Sequence, residues 1–414
     1  MKIKSKLGHI INEGFTDIFY IWREELKNVF KDSGVIILFF VVPLLYPVLY
    51  GLIYNNEVVR DAKMVVVDNS DSFLSREFTR RLDASPDVQI VKVCTDMTEA
   101  KHLVDSKQAY SILLFPQEFN KDLHTGKQTT ISLFSDMSSL LFYKAFLLAV
   151  TDISIDLGRE IDLRNNPGMT AKMDAIKVNP VPYESETLFN SQLGFASFLL
   201  PAILIMIIQQ TLILGIGMLG GTAREKNRFH TLIPINKHFH GTLRIVLGKS
   251  LTYLILYAIV CVWTLIFVPM IFSLPRVGGP GTILLFVLPF LAASIFFSMT
   301  LSGFMKTRES PMMIFVFTSV ILLFISGVSW PKEAIPSFWR ALGFLFPSTA
   351  GIQGFVRINT SGATLAEVAF EYKTLWVQAG FYFITACLVY RYQIIRSRKL
   401  ILSKHAEMKA CRRL

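Results

Sequence analysis

A glycine- and lysine-containing stretch is the first part of this 414-residue chain that could support chemistry. The stretch GTLRIVLGKS at 241–250 is similar to a phosphate-binding loop, whose glycines and lysine surround nucleotide phosphates. That motif needs four residues between its first Gly and the Gly-Lys pair, whereas six separate Gly241 from Gly248. The stretch also lacks a preceding buried strand and leads into an apolar run. We therefore reject a nucleotide site, and we expect this chain to bind no cofactor itself.

Imidazole and carboxylate groups could bind a metal ion at two places. One is a run of eleven residues with three histidines: His230, His238 and His240. No cysteine lies near them and their spacing fits no structural zinc pattern, so a solvated basic loop is the better interpretation. The other consists of three aspartates at predicted strand ends: Asp68, Asp71 and Asp136. Capping and turn roles explain these better than cation or amine binding. The four cysteines form no CxxC motif, and we expect free thiols.

The composition is that of a membrane protein rather than a soluble enzyme. Hydrophobic residues make up 52% of the chain and charged residues only 18%, against about 25% in soluble domains. A charge-free run of about 20 residues can cross a bilayer as a helix. Such runs predict a polytopic α-helical membrane protein with six transmembrane helices. We place them near 34–54, 193–217, 250–272, 282–303, 311–330 and 374–392.

The distribution of Lys and Arg predicts the orientation. Residues 55–190 carry 15 basic and 20 acidic residues, whereas the rest of the chain carries 27 and 11, so the net charge of +11 comes from membrane-flanking segments. Basic residues are concentrated before residue 34, in 218–249 and after residue 390, and are sparser in the alternate loops. The positive-inside rule then places both termini in the cytoplasm and residues 55–190 outside, and the pattern excludes a nucleic-acid-binding surface.

The domain organisation follows from these spans. Residues 1–33 form a cytoplasmic N-terminus, 34–54 the first helix, and 55–190 an extracytoplasmic α/β domain inserted between helices 1 and 2. Residues 191–392 contain helices 2–6, and 393–414 form a basic cytoplasmic tail. Strand and helix signals alternate through 60–165, with strands at AKMVVVD, DVQIVKV, AYSILLF and QTTISLFSD, which predicts a small sheet covered by helices.

An amphipathic helix is predicted within the N-terminal 33 residues. Its apolar face consists of Phe15, Ile18, Phe19, Trp22, Leu26, Val29 and Phe30. Its charged face consists of Asp17, Arg23, Glu24, Lys27 and Lys31. This pattern is typical of a helix lying in the cytoplasmic membrane interface. The alternative is a soluble helix packed on a partner, and both hold if the partner is at the membrane.

The predicted spans contain mild polar residues but no central ionisable residue. Four of them could line a passage: Gln209, Gln210, Ser298 and Ser326. Helix packing is the simpler interpretation of each. Because buried charges usually mark ion pathways, their absence weakens an ion-coupled transporter, and work against a gradient would need another energy source.

The outer loop at 331–373 contains a 16-residue charge-free run between Arg340 and Arg357. This run is too short to span a bilayer, and we expect Pro347 and Gly351 to break it. We predict a re-entrant segment over 331–360 that could close the outer end of a passage. An ordinary amphipathic surface loop is the alternative.

Three blocks of sequence resemble the ABC-transporter permeases of the second exporter class, the ABC type-2 membrane domain family. The first block contains Arg224-Glu225-Lys226, Thr231-Leu232, Pro234 and Gly248-Lys249. The second contains Ser326-Gly327, Pro331, Pro336, Pro347, Arg357 and Gly362. The third is the α/β segment itself, as in the drug-export-like group with a large outer domain. The chain departs from the family pattern at His230, where Gly is usual, and at Arg228-Phe229.

The resemblance implies a permease subunit of an ATP-driven exporter in the bacterial inner membrane, moving a hydrophobic or amphipathic substrate outward. ATP and Mg²⁺ would bind a separate ATP-binding subunit. A second copy or sister permease would complete the passage, and a periplasmic adaptor could dock on the α/β domain. The resemblance implies that the loop at 218–249 couples the chain to the ATPase. The residues implied in this coupling are Arg224, Glu225, Lys226, Thr231 and Pro234. Those implied in the outer gate are Gly327, Pro331, Pro336, Pro347 and Arg357. An ion-coupled secondary transporter and a membrane-anchored scaffold or sensor remain as alternatives.

Overall fold

The computed structural model describes residues 2–54, 58–165, 188–190, 194–225 and 241–411. The chain divides into two compact units. One contains Met1–Asn55 and Thr187–Leu414, and the other contains Asn56–Glu186. The first is helical, and the second contains the only sheet in the described part of the chain.

The helical unit consists of ten elements, nine of them α-helices and one a short 3₁₀ turn, within its described residues. The helices are α1 (Lys2–Lys31), α2 (Ser33–Ile53), α7 (Phe195–Glu225), α8 (Thr242–Ile271), α9 (Pro280–Ser302), α10 (Ser310–Ile325), α11 (Ser337–Gly343), α12 (Pro347–Ser361) and α13 (Ala369–Cys411), and the 3₁₀ turn is Lys332–Ala334. Short π-helical turns interrupt α2 at Ile37–Val41 and α8 at Trp263–Phe267.

Four of these helices, among the described residues, are long and apolar enough to cross a membrane: α2, α7, α8 and α9. The predicted fifth span corresponds to α10, which is apolar but has 16 residues. The predicted sixth lies within α13, a 43-residue helix whose average composition is much less apolar. The structure therefore gives a polytopic helical protein with four candidate spans, and the count of six stays a prediction.

Helix α7 is the centre of the helical unit. Its side chains are buried on nearly every face, and it packs against α2, α9, α10 and α12. This central position explains why α7 is apolar all round, since a helix with neighbours on every side has no face left for charged residues. The helix is longer than predicted because it continues to Glu225. With α8 starting at Thr242, the predicted coupling loop at 218–249 is helical at both ends.

Within its described residues, the second unit consists of a four-stranded sheet and four helices. Its elements are β1 (Ala62–Asp68), α3 (Phe73–Asp83), β2 (Val88–Cys94), α4 (Met97–Asp105), β3 (Ser111–Phe115), α5 (Phe119–His124), β4 (Ser132–Ser135) and α6 (Leu140–Asn165). The strand order is β2-β1-β3-β4, with β1 parallel to β2 and β3, and β4 antiparallel to β3. Val66 is aligned with Val93 on one side and Leu113 on the other.

Side chains along β1 point alternately to the two faces of the sheet, and both faces are covered. Met64 and Val66 face a core shared with α3, α5 and α6, whereas Val65 and Val67 face a smaller core shared with α4. The sequence of a strand buried on both faces is a continuous apolar run, as MVVV is here. The prediction of a small α/β region with four strands is confirmed, with strand ends shifted by a few residues.

Candidate functional site

Helix α1 lies directly against the first half of α8. Its contact face repeats every four residues, and Asp17, Ile21, Glu25 and Val29 are all buried. Gly248 makes the close approach possible, because a Cβ there would lie 2.8 Å from the Cβ of Ile21. The glycine of the Gly-Lys pair therefore allows close helix packing.

Two ion pairs join α1 to α8. The Nζ of Lys249 lies 2.6 Å from Oε2 of Glu25, and the hydroxyl of Tyr253 donates a hydrogen bond to the other oxygen of the same carboxylate. Arg244 donates to Oδ2 of Asp17 over 2.5 Å, and the Thr252 hydroxyl donates to a backbone carbonyl of α1. A buried charge is tolerated when it is paired and hydrogen-bonded, as Glu25 is here.

The predicted coupling residues Arg224 and Glu225 end α7 and contact the loop between α9 and α10. Arg224 donates to the carbonyl oxygen of Met305 over 2.5 Å, and the Glu225 carboxylate accepts the backbone N–H of Arg308 at 3.2 Å. Gly221 lies one turn earlier, where a Cβ would be only 2.1 Å from the carbonyl oxygen of Thr307. The loop therefore lies directly on the last turns of α7.

The same loop is joined to the start of α2. The Arg308 guanidinium lies 2.7 Å from Oδ1 of Asp32, which also accepts the backbone N–H groups of Gly34 and Val35 and so caps α2. A Cβ at Gly34 would lie 2.6 Å from Nη2 of Arg308, so the glycine leaves room for the guanidinium.

We name the set Asp17, Glu25, Asp32, Arg224, Glu225, Arg244, Lys249 and Arg308 the basal cluster. Its contacts form two groups, one that joins α1 to α8 and one that joins α2, α7 and the loop before α10. Of the five predicted coupling residues, Arg224 and Glu225 belong to it. Lys226, Thr231 and Pro234 lie outside the described residues, as do the three histidines of the same segment. Sequence reasoning missed Glu25, Asp32 and Arg308, and only Glu25, an acidic residue within the apolar-periodic stretch of α1, offered a usable signal.

The predicted outer-gate residues begin or end short elements. Pro331 precedes the 3₁₀ turn, Pro336 precedes α11 and Pro347 is the first residue of α12, where a missing N–H costs nothing. Gly327 has a φ of +88°, a conformation that favours glycine. Arg357 lies 3.4 Å from the buried Glu371 carboxylate and donates to the Glu367 carbonyl over 3.0 Å.

Helix α12 is packed inside the helical unit. A Cβ at Gly351 would lie 2.6 Å from the Phe290 ring, and one at Gly354 would lie 2.3 Å from the Phe286 ring. We expected Gly351 to break this segment, but the helix continues to Ser361 because the glycine provides close contact with α9. Pro347 does mark a boundary, as the first residue of the helix.

The four predicted pathway residues are all buried within the chain. Ser298 and Ser326 hydrogen-bond to carbonyls of their own helices, which is the usual role of such hydroxyls. Gln209 donates to Oγ of Ser348 in the first turn of α12 over 3.1 Å. The Gln210 amide makes no hydrogen bond within the described part of the chain. Two of the four thus contact the predicted outer segment at 331–360, since the Ser326 carbonyl also accepts a hydrogen bond from Gln353.

Two of the three aspartates of the sheet unit stabilise turns, and the third, Asp71, pairs with Arg76. Asp68 accepts the backbone N–H groups of Ser70 and Asp71, and Asp136 accepts that of Ser138 while its other oxygen lies 3.0 Å from Lys107. The Ser138 N–H, followed by Lys107, lowers the pKa of Asp136 to about 2. Within the described ranges, no three His, Cys, Asp or Glu side chains form a cluster that could hold a metal ion.

Comparison with known proteins gives the family. The sequence model of the ABC-2 family transporter proteins matches residues 33–388. The linearmycin resistance permease protein LnrN of Bacillus subtilis (strain 168) is 19% identical over 360 residues, which cover 83% of this chain and 91% of that protein. Membership of this family implies an ATP-binding partner subunit. The chain belongs to the ABC-2 transporter family, and it is a multi-pass membrane protein of the permease-subunit type.

Proposed function

We propose that the chain exports a hydrophobic or amphipathic compound across the bacterial inner membrane, using ATP and Mg²⁺ bound by the partner subunit. The observation that carries this proposal is the basal cluster. Within it, ion pairs join α1 to the first half of α8, and a second group of contacts joins the end of α7 to the loop before α10 and to the start of α2. Because α1 leads through Asp32 directly into α2, a moving ATPase could transmit force to both groups. The residues that the family resemblance implied in coupling, Arg224 and Glu225, belong to this set.

The exposed faces of α1 support a position at the membrane surface. Phe15, Phe19 and Phe30 are more than half exposed, whereas the charged pair Lys27 and Glu24 lies on a different side of the helix. Because its third side packs on α8, α1 presents aromatic rings to lipid and charges to the cytoplasm. This arrangement suits cytoplasmic termini, with α10 and part of α13 crossing as the fifth and sixth spans.

The relative's name supports this direction and class of substrate. That protein is named for resistance to linearmycin, and the lipid-facing apolar surface of the helical unit here suits a compound that partitions into membranes. We place the sheet unit on the periplasmic side, where it would release substrate or dock an adaptor, and we expect a second permease chain to complete the passage. Crosslinks from 60–165 that reach only lipid or the same chain would argue against an adaptor.

Co-purification of the partner is the direct test. The full chain is purified in detergent from its own host as wild type, Glu225→Lys and Glu333→Lys, and ATP hydrolysis is measured in each eluate. We expect an ATPase with wild type and with Glu333→Lys, an exposed charge reversal in the 3₁₀ turn, and its loss or uncoupling with Glu225→Lys. Growth of the same strains in linearmycin tests one substrate.

Two results would favour the other functions. Transport that continues without any ATPase and collapses with the ion gradient would indicate a secondary transporter. Full tolerance of charge reversal at Arg224 and Glu225, with no transport, would indicate a membrane-anchored scaffold or sensor.

A further inference from the structure

Arg308 is the residue where three separate parts of the helical unit meet. Its guanidinium pairs with Asp32 at the start of α2, and its backbone N–H donates to Glu225 at the end of α7. Glu309 and Ser310 follow at once and begin α10. Arg308 therefore contacts α2 and α7 and is covalently continuous with α10.

Close packing makes the beginning of α10 follow any movement of α7. A Cβ at Gly221 would lie 2.1 Å from the Thr307 carbonyl oxygen, and one at Gly217 would lie 2.8 Å from the ring of Pro311. Two glycines one turn apart thus bring the backbone of α7 against the loop and the first turn of α10. Arg224 adds a hydrogen bond to Met305 in the same loop.

The other end of α10 is joined to the outer segment. At about 1.5 Å per residue, its 16 residues extend about 24 Å. The carbonyl of Ser326, directly after α10, accepts a hydrogen bond from Gln353 of α12 over 3.1 Å. A Cβ at Gly343 of α11 would lie 2.5 Å from a methyl group of Ile325. Helix α10 is therefore held at one end by the basal cluster and at the other by α11 and α12.

We propose that Arg308 is a positioning residue for transport, which passes movement of the α7 end along α10 to the outer segment. This rests on the proposed function, because the movement originates in the ATP-binding partner. The ion pair with Asp32 fixes the guanidinium of Arg308. The hydrogen bond from the backbone N–H of Arg308 to Glu225 makes the loop follow the position of α7. Without the guanidinium, the loop keeps its packing on α7 but loses its attachment to α2. Helix α10 would then be displaced relative to α2.

The test measures movement at the far end of α10. Phe324, which is exposed near that end, is replaced by Cys in a chain whose native cysteines are Ser. The complex with its co-purified ATP-binding subunit is placed in lipid nanodiscs, and the rate of labelling by a membrane-impermeant maleimide is measured with and without ATP and vanadate. The readout is the change in labelling rate divided by the ATPase rate of the same preparation, measured in a separate aliquot without vanadate.

The variants form a double-mutant cycle at the Arg308 pair. Asp32→Asn keeps an oxygen that can cap α2 and removes the charge, whereas Arg308→Gln removes the guanidinium. We expect each to lower the ratio about fivefold or more, the double variant to be no worse than Arg308→Gln, and Arg308→Lys to restore part of the ratio. Arg76→Gln, which removes an exposed guanidinium paired with Asp71 in the sheet unit, should leave the ratio unchanged.

The outcomes separate this inference from the proposed function. If no ATPase co-purifies with wild type, the proposed function fails and this inference with it. If the ATPase is present but ATP does not alter labelling of wild type, the transmitting role of α10 is overturned while the exporter proposal survives. An equal ATP response in wild type and Arg308→Gln, with both eluting as single folded species, overturns the role of Arg308 alone.

Discussion

Glu25 and Lys249 form an ion pair that is almost completely buried between α1 and α8. Nζ lies 2.6 Å from Oε2, both side chains are about 5% exposed, and the Tyr253 hydroxyl satisfies the second carboxylate oxygen. An interfacial helix attached only by apolar contact could slide along its neighbour. This pair, together with Asp17 and Arg244, fixes the register of α1 on α8, so that the two helices move together.

Breaking the Glu25–Lys249 pair from one side should be costly. Glu25→Gln or Lys249→Met leaves the other charge buried without a partner, and we expect a loss of about 3–5 kcal/mol. The double variant Glu25→Leu/Lys249→Met should lose much less, because it leaves no charge behind. The difference in stability between the single and double variants is measured by thermal unfolding of the detergent-solubilised chain, monitored by size-exclusion chromatography.

The neighbouring pair of Lys27 and Glu24 provides the control for this cycle. The side chains of Lys27 and Glu24 are 49% and 37% exposed, and removing either should cost at most about 1 kcal/mol. Equal losses of stability at the two pairs would mean that burial at the α1–α8 contact does not determine how much an ion pair stabilises the fold.

Gly221→Ala should disturb the basal cluster. The new methyl group would meet the Thr307 backbone at 2.1 Å, and backbone cannot rotate away as a side chain can. We expect a loss of about 1–3 kcal/mol from overpacking, with weaker binding of the ATP-binding subunit in the co-purification assay. Gly158→Ala is the matched control, since a Cβ at this α6 position meets nothing within 4 Å and should stabilise the helix by about 0.5–1 kcal/mol.

Local sequence rules were sufficient for the sheet unit. Its strands were predicted by apolar runs, and its helices begin at cap residues such as Ser72 and Asp96, whose hydrogen bonds reach only two or three residues along the chain. The basal cluster differs because its contacts are long-range. Asp32 and Arg308 are 276 residues apart, and no periodicity or spacing could pair them.

Two further differences have the same origin. Asp17 has the spacing of a charged outer face, but it is buried because Arg244 of α8 covers it. Gly351 resembles a helix breaker, but it lies within α12 because Phe290 occupies the space of a side chain. Periodicity gives the face of a helix on which a residue lies, but not which element covers that face.

Ser348→Ala should destabilise the chain more than its combination with Gln209→Leu. The single variant leaves the buried Nε2 of Gln209 without its acceptor, at a cost of about 1–3 kcal/mol. Gln209→Leu removes that donor together with Oε1, which has no hydrogen-bond partner within the described part of the chain. The double variant should therefore recover stability, as measured by thermal unfolding. A double variant that loses the sum of both single losses would contradict this account of the α7–α12 contact.

Asp136 predicts a pH dependence in the sheet unit. The Ser138 N–H and then Lys107 lower its pKa to about 2 in the folded chain, whereas an unfolded aspartate has a pKa of about 4. A lowered pKa stabilises the fold above the unfolded value, and this contribution disappears as the pH falls from about 4 through 2. The stability difference between wild type and Asp136→Asn should therefore be constant near neutral pH and shrink to nothing in that acid range.

Pulse proteolysis in urea, with pepsin below pH 5 and thermolysin above it, measures this difference in the full chain. Asp136→Asn preserves an oxygen for the Ser138 N–H, so the comparison isolates the charge rather than the turn. Asp105→Asn, at the exposed end of α4, controls for the loss of one negative charge from the same unit. A wild-type advantage that grows as the pH falls would have the opposite sign and would show that Asp136 is stabilised in its protonated form.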